Sequence, residues 1–402
     1  MTTNTLSWSD KARLVNRLAR IGAGALADKV APRKAKWVGD VPASVDMITP
    51  EWLTAVLCKG VPGAKVLDFK VTGGSSGTTT RAAIELALNA EAQQIDVPKY
   101  LFTKSSPIFT QRVFHTFSGA FIGETGFYNH IRPQLDIEAP HGYHACMDAP
   151  SGRSMIMMED IAVTRGVKFI STETYIDRPT IEDLLANMAK WHGHFWESPQ
   201  FRTNLNWMRN PVIFLDELNK FVDLKDRAVI AVEKYPHLIP DDIRHRTDEL
   251  WEATVKSFQL NARLPKTLLH GDCHIGQTYL TREGRVGYAD WQIPMQGGWA
   301  YDVNYAIASA LTIEDRRKWE RDLILHYLDR LQAFGGPKIG FDAAWLAYRQ
   351  HSLYPFFAWA YTRAGGGSKQ PEFQLDYICN DITTRTAHAV SDLETLKAVN
   401  QV

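Results

Sequence analysis

Asp272 and Asp290, eighteen positions apart, are the residues of this 402-residue chain best placed to do chemistry. The first lies in Leu268-Leu269-His270-Gly271-Asp272-Cys273-His274-Ile275-Gly276-Gln277, where an apolar run stops at His-Gly-Asp and a side-chain amide follows five residues later. The second closes the apolar stretch Val286-Gly287-Tyr288-Ala289. Two carboxylates and an amide oxygen suit a hard cation such as Mg2+, which takes oxygen ligands and keeps company with phosphate groups. In that arrangement Gln277 and Asp290 hold the metal, and Asp272 accepts the proton of an attacking hydroxyl. Taken singly, either Asp also fits a turn or a helix cap; the joint spacing is what points to a site. The triplet His270-x-Asp272-x-His274 offers a second chemistry, since imidazole and carboxylate together suit Zn or Fe in a metal-dependent hydrolase.

Upstream, Val71-Thr72-Gly73-Gly74-Ser75-Ser76-Gly77-Thr78-Thr79-Thr80 has little bulk and many hydroxyls. Backbone N–H groups at Ser75, Ser76, Gly77 and Thr78 can close on phosphate oxygens from such a loop. It matches neither GxxxxGK[ST] nor GxGxxG, and in isolation it reads as a hairpin connection. Its place ahead of a strand ending in Lys104 makes it a candidate cover for a nucleotide.

Those residues need elements to hold them. Leu14, Val15, Leu18, Ile21 and Leu26 recur at helical spacing among Lys and Arg, predicting an amphipathic helix over 8–30 that packs on the body or lies on a membrane surface. Thr49 as N-cap and Pro50 as first helical residue start a second helix. Three strands follow over 64–71, 79–88 and 100–104, then a helix over 119–135 and a buried strand over 154–158. Beyond Asp160 the pattern is helical over 180–195, 211–233, 240–260, 313–334, 341–362 and 374–399, with one late strand at 285–289. The chain therefore divides into an N-terminal helical extension (1–45), a β-rich part (46–158) and a helical remainder (159–402).

Composition narrows the function. Hydrophobic residues make up 45% and charged residues 22%, as in a folded globular protein. The 45 Lys and Arg balance 45 Asp and Glu, so no global field steers the chain onto nucleic acid, and an anionic ligand needs a local site. Four dispersed cysteines, no secretory leader pattern and no apolar run long enough for a transmembrane helix fit a reduced, cytoplasmic protein.

With these residues in view, the chain resembles the aminoglycoside phosphotransferase and ecdysteroid-kinase-like family, whose fold is that of protein kinases. The family's HGDxxxxN loop stands here as His270 to Gln277, with Gln277 where the family has Asn, and its strand-ending metal Asp stands in Tyr288-Ala289-Asp290-Trp291. The resemblance implies an α+β, protein-kinase-like two-lobe fold: a small antiparallel-sheet lobe that binds the nucleotide and a larger helical lobe carrying the catalytic loop and the acceptor pocket. It implies Asp272 as catalytic base and Asp290 as metal ligand. Phe121-Ile122-Gly123-Glu124-Thr125-Gly126-Phe127-Tyr128 is similar to the family's F-x-x-E-x-x-F-Y helix, implying Lys104 on the α- and β-phosphates with Glu124 as its ion-pair partner. Met155 to Ile161 resembles the strand-to-linker segment whose backbone, here at Glu159 and Ile161, bonds the adenine edge. His192 reads as a packing residue, and Asp302 as a loop brace or N-cap. The aromatic run Tyr354 to Tyr361 reads first as core and second as a lining for an uncharged or apolar acceptor. The resulting expectation is an ATP-dependent kinase acting on a hydroxyl of a small molecule, with Mg2+ and with Mn2+ at least as good. The other readings are a catalytically silent nucleotide-binding protein of the same fold and the metal-dependent hydrolase.

Overall fold

The computed structural model describes residues 8–364 and 374–401; residues 1–7 of the expected extension, 365–373 and 402 lie outside the described residues. The chain forms two compact units, Met1–Gln134 with Pro140–Gly166, and Leu135–Ala139 with Val167–Val402.

The first unit opens with α1 (Trp8–Val30) and α2 (Pro50–Leu57). Thr49 accepts the Trp52 N–H at 3.1 Å and Pro50 takes the first helical position, where its missing N–H costs nothing. There follow β1 (Val66–Ser76), β2 (Thr80–Leu88), α3 (Ala90–Gln93), β3 (Tyr100–Ser105), α4 (Phe109–Ser118), α5 (Ala120–Gly126), β4 (Gly142–Asp148), β5 (Arg153–Glu159) and α6 (Ile161–Thr164). The strands make one antiparallel sheet in the order β1-β2-β3-β5-β4. Alternate residues of β2, Ala82, Ile84 and Leu86, are buried, as the period of two requires. Ile84 and Leu86 share a core cluster with Leu101, Met155 and Met157 and with Trp52, Leu53 and Val56 of α2.

Several elements of this unit differ from expectation. The glycine-rich stretch is mostly strand. Gly73, Gly74, Ser75 and Ser76 continue β1 and pair with Ala83, Ala82, Arg81 and Thr80, leaving Gly77-Thr78-Thr79 as the turn. Gly74 permits this, because a Cβ there would stand 2.7 Å from the Arg81 carbonyl oxygen. The helix expected over 119–135 runs as α only to Gly126 and continues as a π-helical turn, Phe127–Ile131, and a 3-10 turn, Arg132–Gln134. The helix α4 and the strand β4 had no counterpart in the expectation.

The second unit contains β6 (Lys168–Phe169), α7 (Arg178–His194), α8 (Pro211–Val222), α9 (Leu224–Lys234), α10 (Thr247–Asn261), β7 (Thr267–Leu269), β8 (Thr278–Leu280), β9 (Val286–Tyr288) and β10 (Met295–Gly297). It ends with α11 (Ala300–Ala310), α12 (Ile313–Ala333), α13 (Phe341–Gln350), α14 (Leu353–Arg363), α15 (Asp376–Asp392) and α16 (Thr395–Ala398). Three expected long helices are each two. Asp223 (φ 56°) and Glu394 (φ 47°) are left-handed, a conformation that ends a right-handed helix. Pro355 lacks an N–H and is tolerated only in the first turn, so the chain breaks at His351-Ser352 and restarts as α14. Likewise the helix expected from residue 240 starts only at Thr247. Instead of one late strand, the described residues of this unit hold five short ones, β8 lying between β6 and β9 while β10 pairs with β7. With its sheet-bearing first unit and mostly helical second unit, the fold is α+β of the protein-kinase-like type.

Candidate active site

β7 ends at Leu269 and delivers the chain into His270-Gly271-Asp272. Gly271 has φ 84°, and a Cβ on it would lie 2.2 Å from the Ile293 carbonyl oxygen, so this position accepts glycine only. The loop is clamped from behind by Asp302 of α11, which is fully buried. Its carboxylate accepts the backbone N–H of His270 at 2.6 Å and of Gly271 at 3.1 Å. His192 of α7 completes the clamp, with Nε2 3.4 Å from Asp302 and Nδ1 2.7 Å from the Tyr327 hydroxyl. Burial pushes the His192 pKa below its ordinary value despite Asp302, so the neutral ring donates from Nε2 and accepts at Nδ1. Asp302 is thus a loop brace and His192 a buried packing residue; Asp302 is the third residue of its helix and not its N-cap.

The second loop is tied to the first by its backbone. The Ala289 N–H donates to the Gln277 carbonyl at 2.8 Å, and His270 Nε2 lies 2.9 Å from the Ala289 carbonyl. His270 Nδ1 accepts the Asp272 N–H at 3.3 Å. Both ring nitrogens of His270 are therefore engaged with backbone, which removes it from the Zn or Fe set considered above. Among the described residues no group of three His, Cys, Asp or Glu is arranged to hold a metal ion.

Asp272 presents a carboxylate whose side chain is about one-third exposed. Oδ1 accepts the Tyr305 hydroxyl at 3.0 Å, and Oδ2 accepts the Gln277 side-chain N–H at 3.2 Å. Tyr305, one turn along α11 from Asp302, in turn accepts the Trp359 indole N–H from α14 at 2.8 Å. Burial pushes the Tyr305 pKa far up, so its hydroxyl keeps its proton and serves as donor. His274 lies 3.8 Å from Asp272 Oδ2, and burial lowers its pKa, leaving a neutral ring whose Nδ1 accepts the Gly276 N–H. Because the Gln277 amide nitrogen faces Asp272, its oxygen is the atom left to meet a cation. Among the described residues Asp290 is one of four non-glycine residues with positive φ, at 58°. A carboxylate and an amide oxygen are hard donors and fit Mg2+, which is held by few protein ligands beside phosphate oxygens.

In the first unit, Lys104 pairs with Arg81 and Ile156 across the sheet, and its Nζ lies 2.7 Å from Glu124 Oε1 of α5; both side chains are buried. Ser75 and Ser76 sit at the end of β1, while Gly77 and Thr78 lie in the turn. Gln111 of α4 braces that turn by donating to the Gly77 carbonyl at 2.9 Å. The Glu159 carboxylate accepts from Arg165 at 2.5 and 2.9 Å and from Thr164 at 2.6 Å. Burial opposes its ionisation, but the Arg165 and Thr164 hydrogen bonds outweigh burial and hold it below the usual carboxylate range. Ile161 opens α6 with its side chain buried and its carbonyl accepting the Arg165 N–H at 3.1 Å. Tyr305 and Gln111 were not singled out from sequence, and Trp359 was read only as part of the aromatic run Tyr354 to Tyr361. The spacing Asp302-x-x-Tyr305 at a helix start held a signal for the first, while Trp359 and Gln111 arrive from elements distant in sequence.

The ecdysteroid kinase-like family matches residues 76–335, and the chain belongs to that family. It is accordingly a member of a kinase-like family of small-molecule phosphotransferases. No curated protein matches it in sequence. Solved structures similar to it include the amicoumacin kinase hAmiN in complex with AMP-PNP, Ca2+ and Ami, at 14% identity and TM-score 0.47, covering 81% of this chain and 90% of that one. The GDP complex of aminoglycoside 2′-phosphotransferase-IIIa shares 12% identity with TM-score 0.45, covering 84% and 98%. Choline kinase LicA from Streptococcus pneumoniae shares 12% identity with TM-score 0.43, covering 81% and 94%.

Proposed function

We propose that the protein transfers the γ-phosphoryl group of ATP to a hydroxyl of a small, uncharged or apolar molecule. The observation that carries this reading is Asp272, fixed at both carboxylate oxygens on a braced His-Gly-Asp loop in a chain of this family. The acceptor O–H gives its proton to Asp272, its oxygen bonds to the γ-phosphorus, and the bond to the β–γ bridging oxygen breaks to release ADP. Lys104, held by Glu124, carries the positive charge for the α- and β-phosphates. Ser75, Ser76, Gly77 and Thr78 supply donors to the phosphates, and the backbone at Glu159 and Ile161 serves the base. Gln277 and Asp290 are the residues that would hold Mg2+, which when bound neutralises phosphate charge; Mn2+, slightly larger, serves at least as well. The nucleotide-binding part is assigned to residues 46–158 and the catalytic loop with acceptor pocket to 159–402. Tyr305, Tyr354 and Trp359 are buried, so the aromatic run is core as first read, and the uncharged acceptor rests on the neutral charge of the chain. The four cysteines are free thiols, in keeping with a cytoplasmic protein.

The test is phosphoryl transfer from ATP·Mg to a panel of alcohols, sterols, sugars and antibiotics. Asp272→Asn lowers transfer by about 10²–10⁴-fold while ATP affinity stays within a few-fold. Asp290→Ala ends metal-dependent turnover, and Gln277→Asn, with one torsion fewer to fix, lowers the Mg2+ needed for half-activity. Full transfer by the Asp272→Asn protein overturns the assignment.

A further inference from the structure

The helix α1 uses two faces. Leu14, Leu18, Ile21, Ala25 and Asp28 follow one another at helical spacing and are part-buried or buried against the first unit. The opposite side carries Val15, Ala19, Ala23, Leu26 and Val30, also at spacings of three and four, and all are exposed, Val30 by 74%. This second stripe is not core awaiting a small rotation. Asp28 is ion-paired at 2.6 Å to both Arg112 of α4 and Arg153 of β5, and the Arg17 guanidinium lies over the Phe117 ring, so the helix is fixed about its axis.

Charge says what the stripe faces. Lys11 and Lys29 border it on one side, Arg13 and Arg20 on the other, and all four are exposed. The chain then continues through Arg33, Lys34 and Lys36 to Trp37, which is 72% exposed, and Val38. Pro32, Arg33, Lys34, Lys36 and Trp37 line one concavity with Asp40, whose carboxylate accepts the Lys36 and Trp37 backbone N–H. Residues 8–38 hold eight Lys and Arg against two Asp, one of them the neutralised Asp28. Since the whole chain is neutral, this segment carries six net positive charges and the remainder six net negative. An apolar stripe flanked by basic side chains, followed by an exposed Trp, is the pattern of a helix lying in a membrane interface. We propose that the outward face of α1, continued through Val38, docks this protein onto an anionic lipid bilayer. The apolar side chains enter the acyl boundary, and the basic side chains reach lipid phosphates. The proposal stands apart from the kinase reading.

The experiment is co-sedimentation of the purified full chain with vesicles of phosphatidylcholine, alone or with a third of the lipid replaced by phosphatidylserine. The expected result is binding to the anionic vesicles only, abolished by high salt. Val15→Glu with Leu26→Glu reduces binding at least tenfold, and Arg13→Gln and Arg20→Gln each reduce it about fivefold. All four positions are exposed, and circular dichroism checks that the helix persists; the Gln variants keep the test alive if the Glu variant misfolds. Absence of binding, equal binding to neutral vesicles, or a wild-type dimer that Val15→Glu dissociates overturns the proposal.

Discussion

Asp272 has a donor on each carboxylate oxygen, so its orientation is set by two neighbours of different reach. Gln277 comes from the same loop, whereas Tyr305 comes from α11 and is itself fixed by Trp359 of α14. A base must stand within hydrogen-bond distance of the hydroxyl it deprotonates, and a freely rotating carboxylate meets that condition only part of the time. For the base proposed above, Tyr305 is therefore a positioning residue. Tyr305→Phe preserves ring packing but removes the donor to Asp272 and strands the buried Trp359 N–H, a loss of about 1–3 kcal/mol in stability. We expect kcat to fall about tenfold with the KM for ATP unchanged, and a smaller fall for Trp359→Phe. Steady-state kinetics beside urea unfolding decide the matter, because a purely structural Tyr305 would lower stability and leave kcat alone.

Among the elements, β3 and α5 matter most to the nucleotide site proposed for the first unit. They place Lys104 and Glu124 together out of water, where neither charge is cheap to hold alone. Glu124→Ala leaves the Lys104 ammonium without this carboxylate and is expected to lower stability by about 3–5 kcal/mol in urea unfolding. Lys104→Ala is expected to weaken ATP binding at least tenfold in calorimetric titration, an interaction worth about 1.4 kcal/mol or more. Unchanged affinity removes Lys104 from the nucleotide site. These two residues were legible in sequence because a strand-ending Lys and an aromatic-flanked Glu are local patterns. So were Asp272 and Gln277, which share one loop. Short strands such as β7 and β10 were not, since three residues display no periodicity and their pairing is settled by partners 26 to 30 residues away. The helix breaks at Asp223 and Glu394 escaped as well. Neither is Gly or Pro, and a left-handed turn at an ordinary residue is imposed by tertiary packing.

Across the whole chain, neutrality conceals a division between a basic N-terminal segment and an acidic remainder, and Asp28 is where the first is fastened within its own unit. Burial works against its ionisation, but hydrogen bonds and charge from Arg153 and Arg112 prevail and hold its pKa below the ordinary 3.8. A carboxyl whose pKa is lowered by folding adds stability that is complete above the unfolded value and is lost as pH falls through the folded one. At neutral pH the fastening is therefore intact, and it weakens only below about 3.8. Asp28→Asn imposes the acid state at every pH, with an added cost because Arg112 is fully buried and loses its counter-charge. We expect α1 of this variant to be cut by protease at pH 7 while the sheet β1–β5 stays protected, and wild-type α1 to lose hydrogen-exchange protection only in strong acid. Equal protection of α1 in wild type and variant at pH 7 would show that Leu18 and Ile21 hold the helix without the ion pairs, and that the basic segment is attached by apolar contact alone.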